Sequence, residues 1–240
     1  TGRKWEHQLF PLSWNEVKNH YTFANAYERL EEFLIYGLYP EVVTESKKQK
    51  ILLQLAGSYL YKDILELVNI KKPDLLMKLL NALALQLGSE VSYNELSKIL
   101  GVDRMTVVNY IDLLEKAFVI FRLHPYSSNQ RNEITSKPKI YFYDNGIRNA
   151  IIGQFAPLVN RQDLGALFEN FFISEKIKKL TCNGFYGKTH SDETKQKISA
   201  IHQGNKYFAH DILVFGKLIK GYEDAFNYYN TQTNSDMKYT

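Results

Sequence analysis

The chain has 240 residues, 45% of them hydrophobic, 23% charged and 14% aromatic. That composition supports a buried core and one or two domains, and excludes wholesale disorder or a collagen-like repeat. Thirty Lys+Arg against 26 Asp+Glu leave a net charge of +4, a mild bias compatible with a nucleic-acid partner. No stretch reaches the roughly 20 uninterrupted apolar residues that a membrane span needs, so no membrane partner is expected. The opening Thr1-Gly2-Arg3-Lys4-Trp5 has no apolar run of the signal-peptide type. A single cysteine, Cys182, cannot close an internal disulfide, which suits a reducing cytoplasm. The first residue is not Met, and the chain is expected to be part of a longer protein.

The first half of the chain is predicted to be helical. Ser13 and Glu16 have capping-box spacing, placing a short helix from Trp14. Leu30, Phe33 and Leu34 recur at helical spacing within a second helix, about Asn25 to Tyr36, with Gly37 and Pro40 ending it. A third covers Glu45 to Leu55 and is expected to continue toward Val68. Pro73 suits the first turn of a fourth, Asp74 to Leu87, stopped by Gly88.

Ser92 and Glu95 form a second capping-box pair, opening a short helix from Tyr93 to Leu100. Gly101-Val102 makes a tight turn, and Asp103 is an N-cap for a helix from Arg104 to about Ala117. Val107, Ile111 and Leu114 mark its buried face. Two β-branched and aromatic runs follow, Phe118–Leu123 and Lys139–Tyr143, separated by a polar stretch. Helix, turn, helix, strand, loop, strand is the order of a winged helix-turn-helix. Asp144-Asn145-Gly146 is expected to close the wing as a turn, with a helix over Ile147–Ile152 after it. Gly165 to Leu180 is a strong amphipathic helix. From Thr181 the apolar pattern thins; Asp192–Ile201 is expected to form a short helix and Ile212–Phe215 a short strand.

Several of these segments, taken in order, resemble one family. Thr1-Gly2-Arg3 with Leu9-Phe10-Pro11-Leu12-Ser13-Trp14 is similar to the segment after the sensor strand of predicted bacterial and archaeal AAA+ ATPases. Tyr36-Gly37-Leu38-Tyr39-Pro40 resembles their Gly-Gly-aromatic-Pro segment. The winged helix and Gly165-Ala166-Leu167-Phe168-Glu169-Asn170 resemble their C-terminal domain of unknown function. The resemblance implies ATP and Mg²⁺ as cofactors of the parent family and a missing AAA+ module as a partner. Its Walker motifs are absent here. Gly187-Lys188-Thr189 imitates the end of a phosphate loop, but Cys182 stands where that motif requires its first Gly. No cofactor is therefore expected in this chain.

A second resemblance lies in the tail. Asn183-Gly184-Phe185-Tyr186-Gly187-Lys188-Thr189-His190-Ser191-Asp192-Glu193-Thr194-Lys195-Gln196-Lys197-Ile198-Ser199, then Gly204-Asn205-Lys206, is similar to the third type of nuclease-associated modular domain. Such modules accompany homing endonucleases and are thought to grip DNA. The two glycines permit an extended backbone against a groove, and the lysines supply positive charge.

These readings give the candidate sites. Arg104, Met105, Thr106 and Asn109 lie opposite the buried face of the second helix, where base or phosphate contacts would come from. The wing offers Arg122, Arg131, Lys137 and Lys139. From Gly101 to Arg148 there are seven Lys/Arg against five Asp/Glu, and Asp112 and Glu115 are expected to face outward near the DNA surface. Lys188, Lys195, Lys197 and Lys206 are the phosphate contacts expected of the tail. Glu169, with Asp211 and Lys217, is the weak trace of a metal-dependent nuclease, since the resembled domain pairs a helix Glu with strand carboxylates and a Lys. Cys182, His190, His202 and His210 lack the close pairing of zinc ligands, and no metal is expected.

The expected architecture is mainly α. A helical connector (1–88) precedes a central winged helix-turn-helix with a short β-hairpin wing (89–145). The helical start of a truncated, nuclease-like α/β part (146–180) and a DNA-binding tail (181–240) follow. The expected function is DNA binding without catalysis. The rival readings are a remnant ATPase or nuclease and a protein–protein adaptor.

Overall fold

The computed structural model describes residues 10–21, 23–58, 73–124 and 137–183. In chain order they form α1 (Trp14–His20), α2 (Phe23–Glu28), α3 (Leu30–Tyr36), α4 (Pro40–Thr44), α5 (Lys48–Ser58), α6 (Pro73–Leu85), α7 (Tyr93–Leu100) and α8 (Arg104–Lys116). Strands β1 (Ile120–Leu123) and β2 (Lys139–Phe142) follow, then α9 (Asn145–Ile152), a 3₁₀ turn at Leu158–Asn160, and α10 (Leu164–Asn183). The described part is mainly helical, as the sequence predicts.

Local chemistry accounts for most boundaries. At α1 the Glu16 N–H donates to the Ser13 hydroxyl at 3.3 Å while the Ser13 N–H donates to the Glu16 carboxylate at 2.7 Å, the reciprocal pair of a capping box. That backbone hydrogen bond, with the Ser13 hydroxyl, holds the Glu16 carboxyl below its usual range. The single helix expected over Asn25–Tyr36 is instead two, α2 and α3, interrupted at Arg29. There the guanidinium sits 4.4 Å over the Tyr21 ring and grips both oxygens of Glu32 at 3.0 and 2.9 Å. Pro40, expected to end the preceding helix, is the first residue of α4, where its missing N–H costs nothing. Glu45 caps the end of α4, so α5 starts only at Lys48; the expected continuation of α5 toward Val68 lies outside the described residues.

The middle of the chain follows its sequence pattern closely. The Ser92 hydroxyl accepts the Glu95 N–H at 3.4 Å to open α7, and Gly101 ends it in the left-handed region. Asp103 caps α8 by accepting the Thr106 N–H at 2.9 Å. Val107, Ile111 and Leu114 are fully buried. β1 and β2 pair antiparallel, with Ile120 opposite Phe142 and Leu123 opposite Lys139. Residues 125–136 between the strands, which include Arg131, lie outside the described residues.

Strand alternation gives the hairpin two distinct faces. Ile120, Ile140 and Phe142 belong to the main core, which runs from Trp14 to Phe171 and draws on all the helical segments. Phe121, Leu123 and Tyr141 face the other way and pack with Ile173 and Ile177 of α10. The two-stranded sheet is therefore a layer with α10 on its far side. The expected segments 1–88, 89–145 and 146–180 all contribute to the one main core.

The expected turn at Asp144-Asn145-Gly146 is the beginning of α9. Asp144 is its N-cap, and Asn145 and Gly146 form its first turn, all buried. The reason is packing: a Cβ on Gly146 would lie 2.0 Å from the Tyr36 carbonyl oxygen, so only glycine lets α9 approach the end of α3. Gly37 answers from the other side with φ +74° and no room for a Cβ, which would sit 2.0 Å from an Asp144 oxygen.

Candidate nucleic-acid interface

Helix α8 presents Arg104, Met105 and Asn109 to solvent, with Met105 61% exposed. Arg104 lies 5.9 Å over the Tyr93 ring, which braces the guanidinium against α7 without consuming its hydrogen-bond donors. Thr106 is different. Its hydroxyl donates to Asp103 at 2.6 Å, so it works as the partner of the helix cap. That bond, with the Thr106 N–H, holds the Asp103 carboxyl below its ordinary range.

Arg122 is turned away from this surface. It shares a strand face with Ile120, and that face points at α8. Its guanidinium donates to Asp112 at 2.6 Å and to Glu115, while its backbone N–H donates to Glu115 at 2.7 Å. Burial opposes the charge, but the bonds to Glu115 and Tyr93 hold the guanidinium above its ordinary value. The two acids expected to face the DNA surface are thus spent on Arg122, and Arg122 on them. Lys139 sits on the opposite strand face and meets Glu169 at 3.2 Å. Of the cations expected on the wing, Lys137 is exposed and Arg122 and Lys139 are each bound to acids of the flanking helices.

Glu169 accepts the Tyr141 hydroxyl at 2.5 Å on the same oxygen that meets Lys139. Burial and then Glu169 push the Tyr141 hydroxyl far above its usual range, so it stays a donor. Glu169 is thereby a tie between α10 and β2. Its expected companions Asp211 and Lys217 lie outside the described residues. Among the described residues no group of three or more His, Cys, Asp or Glu is placed to hold a metal ion.

Sequence reasoning missed a buried polar network behind the hairpin. Asp144 accepts the Leu38 N–H at 2.7 Å and the Ile147 N–H at 3.0 Å; burial pushes its carboxyl upward against those donors. Asn145 donates to the carbonyls of Leu34 and Leu167, each at 3.1 Å, and accepts Asn170 at 2.8 Å. Asn170 also brackets Phe142, accepting its N–H at 2.7 Å and donating to its carbonyl at 3.0 Å. Asn149 donates to the Ile35 carbonyl at 2.7 Å. Arg148 reaches the Ala84 carbonyl at 2.8 Å and the Asp163 carboxylate. Arg161 bonds both Asp163 oxygens at 2.8 Å. Burial works against the Asp163 charge, yet the two arginines hold its carboxyl down to about 2. The signal for this network was present in the sequence as four polar residues, Asp144, Asn145, Arg148 and Asn149, crowded into six positions between apolar runs.

An open cleft of about 650 Å³ lies between α3 and α5, lined by Tyr21, Arg29, Glu32, Lys47, Lys48 and Lys50 among others. Its inner cations are structural: Lys48 meets Glu32 at 3.1 Å and the Val43 carbonyl at 3.1 Å, and Arg29 is held by the same Glu32.

The last turns of α10 have their own arrangement. Glu175 accepts the Trp14 N–H at 2.7 Å and Lys178 at 3.0 Å, and Lys178 donates to the Leu12 carbonyl at 3.2 Å, docking α1 against the helix. Lys176 and Lys179 are exposed. The helix then continues through Asn183. Lys188, Lys195, Lys197 and Lys206 lie outside the described residues, as do His190, His202 and His210.

A family model described as a domain of unknown function, DUF8612, matches residues 27–158. A second, the NUMOD3 motif, matches residues 181–206. An uncharacterized protein of Haemophilus influenzae is 29% identical over 165 residues, covering 64% of this chain and 41% of its own length. An uncharacterized protein of Methanocaldococcus jannaschii is 29% identical over 113 residues, covering 46% of this chain and 24% of its own length. The chain thus spans less than half the length of these relatives. No solved structure matches. With more than half of its length matched, the chain belongs to the DUF8612 family, and it carries a NUMOD3 motif at its C-terminal side.

Proposed function

We propose that this DUF8612 member binds DNA and carries out no chemistry within this chain. The observation that carries the reading is the NUMOD3 match over residues 181–206, a nuclease-associated segment holding Lys188, Lys195, Lys197 and Lys206. The order α7, tight turn, α8, β1, β2 supports a winged helix-turn-helix as a second contact. In that role Arg104 and Asn109 meet the duplex, Thr106 holds the helix cap, and Arg122 positions the hairpin instead of touching DNA. The mixture of Arg104 and Lys116 with Asp103 around α8 makes this contact modest in charge, so the tail supplies most of the sequence-independent affinity.

The relatives extend far beyond the matched part. That leaves room for an upstream AAA+ module of the kind the segment order resembles, and ATP and Mg²⁺ would be that module's cofactors. In this reading the present chain is the part that holds DNA or docks the module.

Fluorescence anisotropy of the full chain with labelled duplex tests the proposal. Deleting residues 183–206 is expected to weaken binding strongly at low salt. An unchanged dissociation constant removes the tail from the account, and no binding by the parent chain at low salt favours a protein-only adaptor. Micromolar ATP binding by titration calorimetry would contradict the absence of a nucleotide site.

A further inference from the structure

The side of α8 that points furthest from the core is uncharged where the helix begins. At about 100° per residue, Met105 and Asn109 lie one turn apart and within roughly 40° of each other. Both stand roughly opposite the buried Val107, Ile111 and Leu114. Met105 is 61% exposed and Asn109 is exposed, and among the described residues neither side chain is engaged by another. The acids nearby are occupied: Asp103 accepts the N–H and the hydroxyl of Thr106 at 2.9 and 2.6 Å, and Asp112 accepts Arg122 at 2.6 Å. The cations stand at the two ends of the helix. Lys116 is exposed in the last turn, and Arg104 rests over the Tyr93 ring at 5.9 Å, a contact that takes none of its N–H donors. The helix is also held in place, capped by Asp103 and clamped to β1 by Arg122 on Asp112 and Glu115.

We propose that Met105 and Asn109 read base edges in the major groove and select A·T pairs, so that α8 adds a sequence preference to the tail's sequence-independent hold. This inference rests on the proposed function, in which α8 meets duplex DNA. The chemistry of the pair identifies the bases. Guanine is read by Arg or Lys and cytosine by a free carboxylate, and the outermost positions of α8 offer neither. An amide matches adenine, accepting from its N6 amine and donating to N7, and an apolar side chain matches the thymine methyl. Phosphates would be met by cations, which here flank the pair instead of forming it. The two residues are about 6 Å apart along the helix axis, against about 3.4 Å per base pair, so they fall within two neighbouring pairs.

The test is anisotropy of the full chain at low salt with four labelled duplexes of equal length. One has alternating A·T pairs, the second replaces thymidine by deoxyuridine, the third replaces adenine by 7-deazaadenine, and the last has alternating G·C pairs. Loss of the thymine methyl should weaken binding about fourfold. Loss of adenine N7 should weaken it about fivefold, and the G·C duplex should bind weakest. Met105→Ala should erase the thymine–uracil difference and keep that for adenine, and Asn109→Ala should do the opposite. Leu85→Ala, which removes a 68% exposed side chain at the end of α6, should keep both differences. Equal binding of the parent to all four duplexes, with affinity still lost on deleting residues 183–206, overturns base reading and spares the proposed function. Discrimination that persists in both α8 variants also overturns it, since another element would then read the bases. Failure of the parent to bind any duplex overturns both. Circular dichroism of each variant confirms that the fold is retained.

Discussion

Asn170→Ala probes the tie that fixes α10 to the hairpin. The Asn170 amide stands where a third strand would stand: it accepts the Phe142 N–H at 2.7 Å, donates to the Phe142 carbonyl at 3.0 Å and donates to Asn145 at 2.8 Å. It continues the protection of the outer edge of β2 that begins with the Val91 N–H on the Pro138 carbonyl at 2.8 Å. Asn170 and Asn145 are 0% and 3% exposed, and Phe142 is fully buried, so water cannot replace the lost partners. Each orphaned buried group costs about 1–3 kcal/mol, and three groups that relax partly give about 4 kcal/mol in all. That corresponds to a Tm about 10 °C lower. Urea unfolding followed by circular dichroism measures the loss as a lower midpoint at constant slope. A loss below about 1 kcal/mol would mean that the network is not what holds α10 against β2.

Gly37→Ala places a Cβ 2.0 Å from an Asp144 oxygen at φ +74°, so the variant should unfold at a far lower temperature than Gly57→Ala, whose Cβ meets nothing within 4 Å; equal melting temperatures would contradict the packing. Asp163, held at about 2 in the folded state, has a folded pKa below its unfolded value. Its contribution is therefore complete above about pH 4 and is lost as pH falls through 2, and acid unfolding should show that loss. Asp163→Asn strands two buried arginines, should cost about 3 kcal/mol at neutral pH, and should flatten the stability profile over that acid window. Arg104→Ala should weaken DNA binding at unchanged Tm, whereas Arg122→Ala should lower Tm first, by leaving Asp112 and Glu115 without their cation. The reverse pattern would return Arg122 to the DNA surface.

What the sequence revealed was local. Ser13, Ser92 and Asp103 announce helix starts because a cap needs only a hydroxyl or carboxylate three residues before a free N–H. The buried face of α8 is legible because Val107, Ile111 and Leu114 carry it by periodicity alone. What failed was long-range. Asp144-Asn145-Gly146 has the composition of a turn, and only the Leu38 N–H and the Tyr36 carbonyl, more than a hundred residues away, make it the start of a helix. Arg122 looks like a wing cation until the strand register turns it toward α8. Pro40 was misread because a proline stops one helix and begins another equally well. Of the candidate site, the exposed residues Arg104 and Asn109 were legible from the helical wheel; the engagement of Arg122 and Lys139 with acids was not, because their partners lie on separate elements.

The most direct test of DNA binding is the salt dependence of the full chain's affinity for duplex DNA, measured beside a variant with Lys188, Lys195, Lys197 and Lys206 changed to Ala. The account predicts a steep negative slope for the parent and a slope shallower by about 3.6 for the variant, since each neutralised phosphate contributes about 0.9. Identical slopes for the two proteins, or a parent that does not bind at low salt, would contradict it.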